Sequence, residues 1–539
     1  MKKIINISLI FMALLASMGC ERGLLDKISY SALPGEYVLE TQEGLEKLLT
    51  GCYNQVQSNS YYGGRLYLYE AAKGPDFFQR NVGGGYSFKY ENRHGEYTRF
   101  NGNAWSLWKA IYSVVRNTTI LLDSIDDVTG DVGTLRRIKG EAYALRGLAY
   151  FDLLRLFTNP PKYSCSWGSS YRAPDIDPST YDPTLNTKDP VAGSLYCWGV
   201  PLIKTAAMGF DILDHHAARA TADECYQYVK EQFEMAHELL KGTVPELGHV
   251  NEAAVLALRI RLALYTEQYS DVIILGKEFM DIYEPNYSML QYDNYRTSYY
   301  KPHNSESIWE LVYTADDNLG SNAINYWVRK RTFDTPNLPE QDGKVDGNIG
   351  YAKMGLSYGD PRMGYEHLNV YPSDIRKYLI CDLGVPGKDY KTIRKYVGSP
   401  YHYVHNVPVV RLPEVYLSIS EAACKLGYDV MAQEYLAKVT SVRRLDDAPA
   451  INSYTDILDE RRREFILEGH TYWDYARNGR TIEGRQIIEC ITSNSNLGFP
   501  STTRIYPIPL AEMNANPAIR NQQNPGYGAW YLATDDNEE

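Results

Sequence analysis

Cysteine is scarce in this chain: 8 of 539 residues, none paired as CxxC. Such spacing assembles neither a disulfide framework nor a structural zinc site. Positive charge is in the minority, with 55 Lys and Arg against 67 Asp and Glu and a formal net charge of −12. A non-specific nucleic-acid binder needs a basic surface, so no nucleic-acid partner is expected. Catalytic signatures are missing as well. There is no GxSxG and no HExxH, and Gly83-Gly84-Gly85 is not followed by the Lys-Ser/Thr of a phosphate loop. His402 and His405 lack a neighbouring Glu or Cys ligand set. No catalytic residue, metal or cofactor is therefore assigned. Phenylalanine is rare at 13 residues, whereas tyrosine reaches 47. Tyrosine joins a flat apolar face to a hydroxyl that tolerates water, which suits both scaffold packing and ligand platforms.

Long apolar runs are confined to the N-terminus. Lys2 and Lys3 precede an apolar stretch from Ile4 to Met18, which ends at Gly19-Cys20. Residues 1–19 read as an export signal and Cys20 as the lipidated first residue of the mature chain. Several acyl chains there would hold the protein stably on a membrane. Cys52, Cys225 and Cys424 fall on apolar helix faces and read as small buried hydrophobes. Cys165 and Cys197 flank a loop, and whether they pair stays open.

What the rest of the chain has is helical periodicity. Leu135, Ile138, Ala142, Leu145, Ala149, Leu153 and Leu156 recur at steps of three or four, and Asn159-Pro160-Pro161 stops the run. Upstream, Trp105, Trp108, Tyr112, Val115, Leu122 and Ile125 make a partner helix and place both tryptophans in the core. Thr221-Ala-Asp-Glu224 is a capping box opening the next helix. Two short-turn pairs follow, Glu252–Tyr265 with Asp271–Tyr283 and Pro413–Leu426 with Met431–Arg444. Asp456–His470 is a further helix. Its Arg461 falls on an apolar stripe, so a buried ion-pair network is expected, with Glu460, Glu464 or a distant carboxylate as partner.

The fold class is thus mainly α: a tetratricopeptide-like helix-pair scaffold with long, irregular loop insertions. Residues 20–539 form one domain. Its scaffold covers about 40–57, 104–157, 200–283 and 410–475. Insertions lie at about 58–103, 159–199 and 284–405, and 476–539 is an irregular C-terminal segment. The insertions lack helical period, and loops this long carry function.

A set of blocks in this order resembles the SusD/RagB family. They are the signal ending in Cys20, Gly140-Glu-Ala-Tyr-Ala-Leu-Arg146 running into Tyr150–Phe157, Gly199-Val-Pro-Leu202, Val410–Ala423, Ile457–His470 with Trp473-Asp474, and Tyr506-Pro-Ile-Pro509 with Asn524-Pro-Gly-Tyr527. The resemblance implies a lipid-anchored outer-membrane protein facing the cell surface. It would capture a glycan, or in some members a peptide, and pass it to a SusC-like TonB-dependent transporter without catalysis. Sugars stack their C–H faces on aromatic rings, and the family's ligand contacts come from two loop regions. Here the first offers Tyr86, Phe88, Tyr90, Arg93, Tyr97 and Asn101, the second Tyr292, Tyr295, Tyr299, Tyr300 and Trp327, with Tyr61 and Tyr62 as a weaker third cluster. The other classes are a surface glycosidase, which needs two facing carboxylates about 5–9 Å apart, and an adhesin without a small-molecule ligand.

Overall fold

The computed structural model describes residues 35–80, 88, 91, 101–164, 198–206, 216–299, 301–328, 353–357, 364–382, 388–393, 395–396, 404–445, 453–483, 497, 501–520, 522–524 and 527. The signal, Cys20, Cys165 and Cys197 lie outside them. The long helices are α1 (Gln42–Gln57), α2 (Arg65–Lys73), α3 (Gly102–Ser124), α4 (Val132–Phe157), α5 (Ala222–Leu240), α6 (Glu252–Tyr265), α7 (Tyr269–Ile282), α8 (Leu412–Lys425), α9 (Asp429–Arg443), α10 (Tyr454–Glu464) and α11 (Thr471–Arg477). Among the described residues no helix is long and apolar enough to cross a membrane.

Several helices start where a side chain satisfies their first free amides. Thr221 accepts from the Glu224 amide while the Glu224 carboxylate accepts from the Thr221 amide, closing the capping box on α5. Asp131 and Asn251 cap α4 and α6. Pro413 stands in the first turn of α8, and Gly427 beyond its end has φ +76°, a conformation that favours glycine.

The helices pack in sequence: α1 on α3, α3 on α4, α4 on α5, α5 on α6, α6 on α7. α7 then packs directly on α8, although 129 residues separate them in sequence (283–411), and α8 packs on α9 and α10. The array is therefore continuous in space where the sequence is interrupted. Close approach is enforced by glycine. A Cβ on Gly140 would meet Leu240 at 2.8 Å and one on Gly147 would meet Phe233 at 2.8 Å, both across the α4–α5 contact. A Cβ on Gly276 would meet Ile419 at 2.6 Å across α7–α8.

The excursion between α7 and α8 is tied at its base. Strand β4 (Ser307–Leu311) pairs antiparallel with β8 (Val407–Arg411), which leads straight into α8. Three further ribbons join β1 (Phe77–Gln79) to β5 (Met354–Leu356), β2 (Trp198–Pro201) to β3 (Arg219–Thr221), and β6 (Ile380–Asp382) to β7 (Lys391–Ile393).

Three expectations need correction. The 58–103 insertion contains α2, whose residues Leu66 to Lys73 are all buried. A helix wrapped on every side has no polar face, so no amphipathic period marks it. Trp105 is 36% exposed, whereas Trp108 is in the core and donates to Glu512. The helix expected to run to His470 stops at Glu464. Leu467 and Gly469 take positive φ and reverse the chain into α11, and a Cβ on Gly469 would strike the Tyr67 ring at 2.8 Å. Of the three cysteines read as hydrophobes, Cys52 and Cys225 are buried, with burial pushing each thiol up to about 12, while Cys424 is half-buried.

Candidate functional site

The two ring-bearing loop regions meet at one point. Trp327 lies in a short helical turn, Ile324–Val328, where it is half-buried. The Phe88 ring packs edge-on against it, centroids 5.5 Å apart at 69°. The Lys353 ammonium stands 5.0 Å over the same indole, and the Lys353 amide donates to the Trp327 carbonyl. The β1–β5 ribbon positions these groups. The Arg80 amide donates to the Lys353 carbonyl, and Gln79 accepts from the Phe88 amide at 2.9 Å. A partly exposed indole flanked by a cation, beside the β1–β5 ribbon, is a platform that can stack on a sugar face. Lys353 carries no signal in the sequence, since an isolated lysine in a loop has no pattern around it.

The other candidates separate into two groups. Tyr86, Tyr90, Arg93, Tyr97 and Tyr300 lie outside the described residues. Asn101, Tyr295 and Tyr299 are buried. Asn101 caps α3, its side-chain Oδ1 accepting from the Asn103 and Ala104 amides at 2.9 Å. Tyr295 and Tyr299 sit on a one-turn helix that faces inward. The Arg443 guanidinium is 4.6 Å from the Tyr295 ring centre, that of Arg411 is 5.7 Å from Tyr299, and the Tyr299 hydroxyl donates to Glu468. At 1% and 8% exposure these two rings present no face to a ligand. Tyr61 and Tyr62 are buried too, with the Tyr61 hydroxyl donating to Asp152.

Beneath Tyr295 and Tyr299 lies a buried ion-pair hub. Glu464, the last residue of α10, is held by Arg411 at 3.0 Å, Arg443 at 3.1 Å and Arg376 at 3.1 Å. Glu306 bridges Arg411 at 2.8 Å and Arg443 at 2.6 Å. Arg376 also binds Asp374 at 2.6 Å and Glu460 at 2.7 Å. Glu468 accepts from Arg411 and Lys395. Burial alone would raise the Glu460 and Glu464 carboxyls. The arginines outweigh it, holding Glu464 well below the carboxylate range and Glu460 at about 2. Burial lowers Lys395 to about 8 against the pull of Glu468. A second cluster holds Arg461, whose partners are Asp474 at 2.9 Å and Glu421 at 3.4 Å rather than its neighbours on the helix. The charged block of α10 is a structural network, as its spacing suggests.

Two cavities adjoin this hub. The larger, about 660 Å³, is lined by Tyr371, Arg444, Arg463, Tyr475 and Arg480, with Asp459 and Glu460 among its acids. The smaller, about 90 Å³, lies beside Tyr299, Lys395 and Arg411. Among the described residues no group of three His, Cys, Asp or Glu side chains is arranged to hold a metal.

Comparison with known proteins fits this architecture. A family profile described as SusD-like, starch-binding associating with outer membrane, matches residues 24–264, and a second, the SusD family, matches 390–527. The chain belongs to the SusD/RagB family. SusD-like protein P38 of Formosa agariphila is 22% identical, the alignment covering 98% of this chain and 100% of that protein. The starch-binding protein SusD of Bacteroides thetaiotaomicron is 28% identical over 147 residues, covering 26% of this chain and 25% of that one. The crystal structure of a SusD superfamily protein from the same organism superposes with a TM-score of 0.73 at 25% identity, covering 90% of this chain and 100% of the other. As a SusD/RagB protein, the chain has the helical scaffold that its short-turn hairpins predict, and the family's two profiles fall on the array and on the hub-bearing C-terminal part.

Proposed function

We propose that this SusD/RagB protein is a lipid-anchored, surface-facing glycan-binding protein that captures an oligosaccharide or polysaccharide and delivers it to a SusC-like TonB-dependent transporter. The observation that carries this reading is the Phe88–Trp327–Lys353 platform, where both ring-bearing loops converge on one partly exposed indole. The starch-binding relative and the outer-membrane description of the family profile support the same class of ligand and the same compartment. Cys20 is the proposed lipid attachment point.

Binding without catalysis is favoured by the carboxylates. A glycosidase acid must keep its proton near neutral pH, which requires a raised pKa beside the substrate. Glu460, which lines the larger cavity, sits at about 2. Glu70 is pushed up to about 8 by burial, yet it lines neither cavity and accepts from the Tyr472 amide.

Affinity electrophoresis across a panel of neutral and acidic polysaccharides tests the proposal. A binding glycan should retard the wild-type protein, and Trp327→Ala should weaken the binding by about tenfold or more, a loss of about 1.4 kcal/mol. Retardation by no glycan, or full retention of binding in Trp327→Ala, would overturn it.

A further inference from the structure

The buried hub carries one more cation than carboxylate. Arg376, Lys395, Arg411, Arg443, Arg444 and Arg463 face Glu306, Asp374, Glu460, Glu464 and Glu468. The imbalance is local. Glu460 alone serves three guanidiniums: Arg376 at 2.7 Å, Arg463 at 3.0 Å and Arg444 at 3.5 Å. Arg444 has the poorest share. It is 2% exposed, and its Nε and Nη1 have no hydrogen-bond partner. Its guanidinium lies 4.1 Å from the centre of the Tyr371 ring, which attracts the charge but offers no lone pair to the N–H groups. A buried donor left unpaired costs on the order of 1–3 kcal/mol, more when charged. Arg444 lines the 660 Å³ cleft, a volume typical of small-molecule sites.

The rest of the lining narrows the ligand. Arg463 and Arg480 add positive charge, and Tyr371 and Tyr475 add rings. Arg462 is satisfied by Asp76 and the Tyr475 hydroxyl. Asp456, which closes the cap on Ser453, Asp459, 3.7 Å from Arg480, and Glu483 also line the cleft. This mixture suits a single negative group on a compact polar body and disfavours a polyanion.

We infer that this cleft binds an acidic sugar whose carboxylate pairs with Arg444. The choice of a sugar rests on the glycan-binding reading; the anion site rests on Arg444. The cleft is built by α9, α10, α11 and the segment around Tyr371, and shares no lining residue with the Trp327 platform.

Titration calorimetry of the mature chain with sodium galacturonate and sodium glucuronate, with galactose and glucose as neutral controls, decides the matter. The uronates should bind and the neutral sugars should not. Arg444→Gln should weaken uronate binding by about tenfold, and Trp327→Ala should leave it unchanged. Because Arg444 is buried, Tyr371→Ala serves as a second variant that keeps every charge, and it should also weaken binding. Absence of uronate binding, equal binding by Arg444→Gln and Tyr371→Ala, or loss in Trp327→Ala would overturn the inference. Binding of an N-acetylated dipeptide carboxylate in place of the uronates would overturn the sugar assignment. Failure of every polysaccharide at Trp327 with Arg444-dependent uronate binding intact would sink the proposed function and leave this site standing.

Discussion

The insertions make two junctions of opposite character, one with the helical array and one with each other. At the ion-pair hub, Glu306, Asp374, Arg376 and Lys395 from the 284–405 excursion interlock with Arg411, Arg443, Glu464 and Glu468 of the scaffold, all of them buried. At the platform, Phe88 and Trp327 make a ring contact on a short ribbon, and the indole keeps part of its surface in solvent. The first junction is satisfied internally except at Arg444; the second keeps part of an indole in solvent. Charge density alone would point to the hub as the working part, yet its carboxylates are already engaged by arginines. The less conspicuous junction is the one that keeps a ring partly in solvent.

The sharpest way to break this contrast is at the hub. Glu464→Ala strips three arginines of their shared partner and should cost about 3–5 kcal/mol, the usual penalty for orphaning buried charge. Denaturant unfolding reads this directly; a loss below about 1 kcal/mol would show that the hub does not hold the excursion down. Next in size is the array itself. Gly276→Val places a methyl group against Ile419, and overpacking should cost about 1–3 kcal/mol. An unchanged melting temperature would mean that α7 and α8 can separate freely.

The pH response divides the same buried carboxyls. Glu460 is ionised down to about 2 against an ordinary 4.5, so its contribution is complete above pH 4.5 and is lost as pH falls toward 2. Glu70 runs the other way, at about 8 against 4.5. It favours the folded state below pH 4.5, and that advantage declines as pH rises through 8. Glu70→Gln should therefore flatten the fall in stability between pH 4.5 and 8, measured by unfolding at a series of pH values. A slope identical to wild type would remove Glu70 from the account. Smallest in stability is Trp327→Ala, at about 1 kcal/mol for a lost edge contact. A loss as large as that of Glu464→Ala would make Trp327 a core residue and erase the contrast.

Much of the scaffold was legible because its signals are local. The capping box at Thr221, Pro413 and Gly427 at the ends of α8, and the inward stripe through Arg461 each involve residues within a turn or two of one another. What stayed hidden depends on distant partners. α2 is buried on all sides by elements remote in sequence, so its periodicity is erased. Asn101 has the composition of a ligand contact and the position of a helix cap, and only the start of α3 distinguishes them. Tyr295 and Tyr299 belong to a tyrosine-rich loop in sequence, but Arg443 and Arg411, over a hundred residues away, claim their faces. The pairing of Phe88 with Trp327 needs the β1–β5 ribbon, which three-residue strands do not announce.

The continuity of α7 and α8 has an evolutionary reading. Because these helices touch each other directly and β4 pairs with β8 at the root of the excursion, the chain leaves and re-enters the array at nearly one spot. Distal to that root, Asp374, Arg376 and Lys395 still lock into the buried hub, so it is the stretches between these anchors that can change in length while the frame keeps its shape.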